Sequence, residues 1–127
     1  MAYVTIIAML ALIEYLYFGV QVGGARGRGG VSAPAVTGDP AFERAFRAHQ
    51  NTLEQLIIFL PALYATAWFV SDLFAVAAGV VFLIGRAIYF RAYCADAEKR
   101  GPGMLVTAAA NISLILAALI GAMIAIL

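Results

Sequence analysis

Residues 53–90 read LEQLIIFLPALYATAWFVSDLFAVAAGVVFLIGRAIYF. Two long apolar runs meet in this stretch, and only Ser71 and Asp72 separate them. Each run is close to the length that an α-helix needs to cross the hydrocarbon core of a bilayer, about 17–25 residues. A two-residue gap leaves room only for a tight reversal. The stretch therefore predicts an antiparallel pair of membrane-spanning helices.

The composition of the rest of the chain extends this prediction. Of the 127 residues, 65% are hydrophobic and 12% are charged, whereas soluble domains have about 45–50% apolar and about 25% charged residues. This apolar excess is too large for a small core to hide from water. We therefore predict an all-α membrane protein, a four-transmembrane-helix bundle that forms one domain, residues 1–127. The expected spans are 3–22, 42–70, 73–99 and 104–127, with a loop at 23–41. The first span is not expected to be a cleavable signal peptide.

Two segments are expected to interrupt the helices. Residues 23–30, GGARGRGG, are predicted to be non-helical because glycine disfavours helix. They also lack the Gly-Lys-Ser/Thr of a phosphate-binding loop. Asp39 and Pro40 are typical of a helix N-cap and first helical residue. Gly101-Pro102-Gly103 is expected to break the chain between the last two spans.

The charged residues exclude some function classes and indicate an orientation. A net charge of +1 gives no reason to expect nucleic-acid binding. One cysteine, Cys94, permits no intrachain disulfide, and no metal-ligand pattern is present. Arginines and lysine flank the first and third loops but not the termini or the Ser71 turn, so 23–41 and 99–104 are predicted to be cytoplasmic and both termini to lie on the opposite side.

Polar residues recur at helical spacing inside the second and third spans. Each set is predicted to share one helix face, and the sets are Glu43, Arg47, Asn51 and Glu54 on the second helix and Arg86, Tyr89, Tyr93 and Arg100 on the third. Counted from the shared turn, the two sets match in height. They are expected to line one pocket for a small polar anion, with a buried Glu54–Arg86 ion pair. The alternative is that these residues only pair with each other and fix helix register.

Three motifs resemble those of the MAPEG family, the membrane-associated proteins in eicosanoid and glutathione metabolism. The string FERAFRAHQNTLE at residues 42–54 is similar to the family's helix-two signature. Residues 31–34, with Thr37 and Gly38, resemble its first cytoplasmic loop. RAIYFRAY at 86–93, followed by Arg100, resembles its third helix. The likeness covers essentially the whole chain.

The resemblance implies a homotrimer that uses glutathione as co-substrate, bound between subunits near the cytoplasmic end. It assigns glutathione binding to Arg47, Asn51, Glu54, Arg86, Tyr89 and Tyr93, and His49 stands where the family has a glutamine. Arg100 falls at the position of a thiol-activating arginine, with Arg28 or Arg26 as a helper. Gly27 and Gln55 depart from leukotriene C synthase, which puts an eicosanoid substrate in doubt. The compact loops are similar to those of bacterial members, so a bacterial inner membrane is expected.

The sequence thus favours a glutathione-dependent membrane transferase or peroxidase that acts on a hydrophobic electrophile or a lipid hydroperoxide. One alternative is a non-enzymatic lipid-binding scaffold of the same family. Another is a small multidrug transporter, because such proteins also carry a glutamate in the first span, as Glu14 is here. For Glu14 and for His49, an ordinary structural role is also open.

Overall fold

The computed structural model describes all 127 residues. It contains four long helices and one short 3₁₀ helix: α1 (Ala2–Gly29), α2 (Pro40–Phe69), α3 (Asp72–Ala95), the 3₁₀ helix (Ala97–Arg100) and α4 (Gly101–Ala125). All four long helices are sufficiently long and apolar to cross a membrane. The predicted four-helix membrane bundle is confirmed.

Side-chain caps fix the starts of the two central helices. The carboxylate of Asp39 accepts a hydrogen bond from the Phe42 N–H at 2.8 Å, and Pro40 occupies the first turn of α2, as the sequence predicts. The hydroxyl of Ser71 accepts from the Phe74 N–H at 3.4 Å and caps α3. The reversal between α2 and α3 is therefore as tight as its two residues require.

Helices α2 and α3 form the centre of the bundle, and each contacts both α1 and α4. The rings of Phe59 and Phe82 stack across α2 and α3 with their centroids 3.8 Å apart. Most large hydrophobic side chains of α1 and α4 point outward, which suits a surface solvated by lipid. The only tryptophan, Trp68, is exposed at the end of the bundle that carries the Ser71 turn, which we call the turn end.

Helix α1 continues through the segment that was expected to be a loop, so the prediction for residues 23–29 is wrong. It ends at Gly29, and Gly30 takes the left-handed conformation with φ 65°. Each glycine lowers helix stability by about 1 kcal/mol relative to alanine, but tertiary contacts offset that loss. Ala25 is buried against Phe42. The guanidinium of Arg26 lies 4.4 Å from the centroid of the Phe42 ring and donates to the Ala35 carbonyl at 2.7 Å.

The break between α3 and α4 also lies earlier than expected. Helix α3 ends at Ala95, and Asp96 caps the 3₁₀ helix by accepting from the Glu98 N–H at 3.0 Å. Gly101-Pro102-Gly103 forms the first turn of α4. In a first turn the missing N–H of a proline costs no helical hydrogen bond. The expected break at these three residues is therefore wrong.

A glycine at the start of α4 permits its close approach to α3. A Cβ placed on Gly103 would overlap the backbone N and Cα of Tyr89. Farther along the same interface, a Cβ on Gly85 would lie 2.9 Å from the backbone N of Thr107. The two helices therefore pack backbone against backbone, and this contact sets the position of Tyr89.

Candidate functional site

Four side chains of α3 and the 3₁₀ helix form a continuous ladder towards the end of the bundle opposite the turn, which we call the arginine-rich end. The guanidinium of Arg86 lies 4.0 Å from the centroid of the Tyr89 ring. The rings of Tyr89 and Tyr93 are 5.5 Å apart, and the guanidinium of Arg100 lies 5.8 Å from the centroid of Tyr93. Helical spacing predicts the part of this ladder that lies on α3, whereas Arg100 reaches it from the 3₁₀ helix.

Asn51 joins α2 to this ladder. Its side-chain amide donates to the phenol oxygen of Tyr89 at 2.5 Å. Asn51 is half-buried and Tyr89 is only 3% exposed, so the bond lies at the α2–α3 interface. Counting residues from the Ser71 turn predicts that Asn51 lies level with Tyr93, so the structure pairs Asn51 about one helical turn deeper on α3 than expected.

Arg86 is the largest fully buried side chain of the protein, with 1% exposure. Its Nη2 donates to the hydroxyl of Thr52 at 2.8 Å, and that hydroxyl donates to the Ala48 carbonyl at 2.9 Å. Its Nε has no hydrogen-bond partner within the chain. The guanidinium is therefore held by a hydroxyl and by the Tyr89 ring.

The expected buried Glu54–Arg86 ion pair is not formed, and that prediction is wrong. The two ion pairs of the structure join the Met1 amine to Asp72 and Lys99 to Asp96. Glu54 is exposed, because two residues along an α-helix turn a side chain by about 200° and Thr52 occupies the buried face. Sequence reasoning missed Thr52, although a hydroxyl residue on the buried face at the level of an intramembrane arginine was an available signal.

Two expected site residues of α2, Arg47 and Glu54, lie at the bundle surface. Arg47 is exposed, as is Glu54, and the spacings of four and three place both on the side of α2 that carries Asn51. The chain thus brings together Asn51, Arg86, Tyr89, Tyr93 and Arg100. It leaves Arg47 and Glu54 facing outward beside them.

Three further expected residues lie apart from this ladder. The imidazole of His49 stacks on the Tyr15 ring of α1 with centroids 4.2 Å apart, and its Nε2 is buried without a hydrogen-bond partner. Arg26 is held against Phe42. Arg28 lines a cleft of about 710 Å³ between α1 and α3. Within one chain, none of the three is brought to Asn51 and Tyr89.

The ladder presents two guanidinium groups, two phenol hydroxyls and one amide. Guanidinium groups bind carboxylates with two parallel hydrogen bonds, and a nearby cation stabilises a thiolate relative to the thiol. Arg100 is exposed, and its Nη1 also donates to the Ala97 carbonyl at 2.7 Å. The arrangement can therefore bind an anion at the α2–α3 interface and stabilise a second negative charge above Tyr93.

The chain is similar in sequence to proteins of one known family. The model of the MAPEG family matches residues 4–120. The chain is 42% identical over 97 residues to human microsomal glutathione S-transferase 2, with 76% of this chain and 66% of that protein covered. An uncharacterised protein of Synechocystis sp. is 40% identical over 115 residues, with 91% and 84% covered.

Bovine leukotriene C4 synthase is also similar to the chain. It is 36% identical over 94 residues, with 74% of this chain and 63% of that enzyme covered. The chain therefore spans just under two thirds of the length of the mammalian proteins that it matches.

Proposed function

The chain belongs to the MAPEG family, and from this we propose that it is a glutathione-dependent membrane transferase or peroxidase. It would activate the thiol of glutathione for attack on a hydrophobic electrophile or a lipid hydroperoxide. The names of two relatives, a glutathione S-transferase and leukotriene C4 synthase, support glutathione as the co-substrate. The observation that carries the proposal is the ladder from Arg86 through Tyr89 and Tyr93 to Arg100, joined to α2 by Asn51.

Binding is proposed to use the α2 side of this ladder. Asn51 and Tyr89 offer hydrogen bonds to the peptide groups and carboxylates of glutathione, and Arg86 adds positive charge beneath them. The exposed Arg47 and Glu54 would bind a carboxylate and the ammonium group, respectively. All five residues lie on or beside one helix interface, which favours a single elongated polar ligand.

The chemical step requires a thiolate, because the neutral thiol is a poor nucleophile and an unperturbed thiol has a pKa of about 8.5. Arg100 is proposed to stabilise that anion, since a guanidinium keeps its charge at any physiological pH. The sulfur would then form a bond to the electrophilic atom while the leaving group departs with the electron pair of the broken bond. Tyr93, which lies beneath the guanidinium, would position the thiol.

A homotrimer is proposed as the active assembly. Arg47 and Glu54 face outward from a helix that is apolar enough to span a membrane, and charged side chains in contact with hydrocarbon are costly. A second copy would cover them. A contribution from His49, Arg26 or Arg28 to glutathione binding or activation would have to come from such a neighbour, because within one chain they lie apart from the ladder.

The arginine-rich end is proposed to face the cytoplasm, with both termini on the other side of a bacterial inner membrane. Basic residues concentrate at the end of α1, the start of α2, the end of α3 and the 3₁₀ helix, which supports this orientation. Glutathione would enter from the cytoplasm, and the hydrophobic acceptor would enter from the bilayer.

Titration of the purified protein in detergent with glutathione tests the proposal. We expect a thiolate absorbance at neutral pH, followed by conjugation when an aryl halide is added. Glutathione binding without thiolate or conjugation would support the scaffold instead. Proton-coupled dye efflux that is lost in Glu14→Gln would support the transporter. Mass measurement of the intact complex should give a trimer, and a stable monomer or dimer would contradict that assembly.

A further inference from the structure

A second cleft, mostly apolar but with charged residues along it, lies on the α1 side of the bundle. The cleft of about 710 Å³ runs along α1 from Glu14 to Arg28, which is about 21 Å of helix at 1.5 Å per residue. The α3 wall is formed near Phe90, Arg91 and Cys94. We call this cleft the α1–α3 groove.

The groove is separate from the candidate glutathione site. None of the ladder residues lines it, because Arg91 is turned by about 200° around α3 from Tyr89 and from Tyr93. Phe90 stacks on Phe18 with ring centroids 4.0 Å apart, and this aromatic pair forms part of the floor. The groove is therefore a candidate site for a different ligand.

Two arginines line the groove without ion-pair partners. Arg28 and Arg91 both line it and both are exposed, and neither forms an ion pair. A Cβ placed on Gly24 would lie 3.2 Å from Nη1 of Arg28, so that guanidinium folds back along α1 over a glycine. Two unpaired positive charges thus line the groove, Arg28 at its arginine-rich end and Arg91 beside the Phe18–Phe90 pair.

Glu14 marks the other end of the groove. Glu14 is half-buried there, and Tyr17, Phe18 and Phe90 line the length between. Guanidinium groups bind phosphate and carboxylate oxygens, and basic pockets between transmembrane helices bind anionic lipid head groups. Because both guanidinium groups lie on the Arg28 side of Glu14, the head group of an anionic amphiphile would bind on that side.

We propose that the α1–α3 groove binds an anionic membrane lipid. The oxyanion of its head group lies between Arg28 and Arg91, and an acyl chain follows the aromatic floor towards Glu14. The ligand is a lipid rather than a free anion, because most of the lining is apolar and the groove lies along two helices that can span a membrane.

Native mass spectrometry of the full-length protein tests this proposal. The protein is extracted in mild detergent and incubated with phosphatidylglycerol, phosphatidylcholine of the same acyl chains, or oleate. We expect phosphatidylglycerol to be retained over phosphatidylcholine, and Arg91→Gln to weaken its retention about tenfold, the effect of losing one charged hydrogen bond. Retention of oleate as well would show that a carboxylate suffices as the head group.

Lys99→Gln is the matched control, because it removes one positive charge at the same end of the bundle but outside the groove. It should leave lipid retention unchanged. Equal retention of the two phospholipids, or equal losses in Arg91→Gln and Lys99→Gln, would overturn the proposal, because either result would reflect general lipid adhesion.

The single cysteine gives an independent readout. Cys94 lines the groove, so phosphatidylglycerol should slow its labelling by a small maleimide and phosphatidylcholine should not. Gly24→Val keeps both arginines but fills the space beneath Arg28, and it should reduce this protection. Labelling that is indifferent to the lipid would show that the groove is unoccupied or covered by another subunit, and the proposal would fail.

Discussion

The amide of Asn51 donates its hydrogen bond to the phenol oxygen of Tyr89 across the α2–α3 interface. A tyrosine hydroxyl can accept and donate at the same time. Because the Tyr89 oxygen already accepts from Asn51, its own hydrogen remains available for a ligand. The pair therefore presents a donor whose direction is fixed by a neighbouring helix, which is a suitable arrangement for binding a carboxylate.

Loss of the Asn51–Tyr89 hydrogen bond should weaken glutathione binding, and the effects of changing the two residues should not be additive. Asn51→Ala and Tyr89→Phe should each raise the dissociation constant about tenfold, the effect of one hydrogen bond of about 1.4 kcal/mol. The double variant should lose less than the product of the two, because each change disables the same donor. Calorimetric titration of the four proteins measures the coupling.

Asn111→Ala is the control for that cycle. Its amide is also buried and donates to Gln55 at 2.9 Å, but it lies outside the ladder. We expect a loss of thermal stability without a change in glutathione affinity. Strictly multiplicative effects of the Asn51 and Tyr89 changes would show that the bond does not orient the tyrosine.

Arg100→Ala should reduce thiolate formation far more than glutathione binding. Loss of the guanidinium above Tyr93 should raise the pKa of the bound thiol by about one unit, so at neutral pH the thiolate absorbance and the conjugation rate should fall by about fivefold. Lys99→Ala, one residue earlier in the same 3₁₀ helix, should change neither. If both variants lose activity equally, Arg100 is not the activating residue.

The hydrogen bond between Arg86 and Thr52 can be isolated by a matched pair of valine substitutions. Thr52 and Thr107 are both 1% exposed, and each donates to the carbonyl four residues earlier. Only Thr52 also accepts from Arg86. Thr52→Val should therefore destabilise the protein by about 1–3 kcal/mol more than Thr107→Val, because it leaves a buried charged donor without a partner. Equal unfolding midpoints would show that Arg86 finds another acceptor.

The contact between Gly103 and Tyr89 should tolerate no side chain. Gly103→Ala places a Cβ against the backbone of α3, so we expect a loss of about 1–3 kcal/mol in stability and weaker glutathione binding, since Tyr89 must move. Gly101→Ala is the control, because no atom lies within 4 Å of its added Cβ. That variant should be neutral or stabilised by about 0.4–1 kcal/mol. Thermal unfolding in detergent distinguishes the two.

The bundle was predictable because its signals are local. Span length, the two-residue turn at Ser71 and the Asp39-Pro40 start each depend on neighbouring residues. The end of α1 was not predictable in this way. Glycine propensity favours a loop at residues 23–29, and only distant contacts, Ala25 and Arg26 against Phe42, keep those residues helical.

The candidate site was likewise predictable only in part. Helical spacing aligned the side chains of α3, and counting from the turn placed Asn51 within about one helical turn of its partner Tyr89. Spacing cannot show which of two neighbouring polar residues faces inward, and so it favoured Glu54 over Thr52 as the partner of Arg86. A buried hydroxyl is a weaker sequence signal than an opposite charge, although it is less costly to desolvate.

Trp68 can serve as an intrinsic fluorescence probe because of its position. It is the chain's single indole, exposed at the turn end, about 26 Å along α2 from Asn51. Brominated acyl chains that quench its fluorescence would report whether a preparation is inserted in a bilayer. Ultraviolet absorbance of the thiolate would report occupancy at the far end of the molecule. Because the two signals arise at opposite ends, insertion and ligand binding can be followed in one cuvette without one being mistaken for the other.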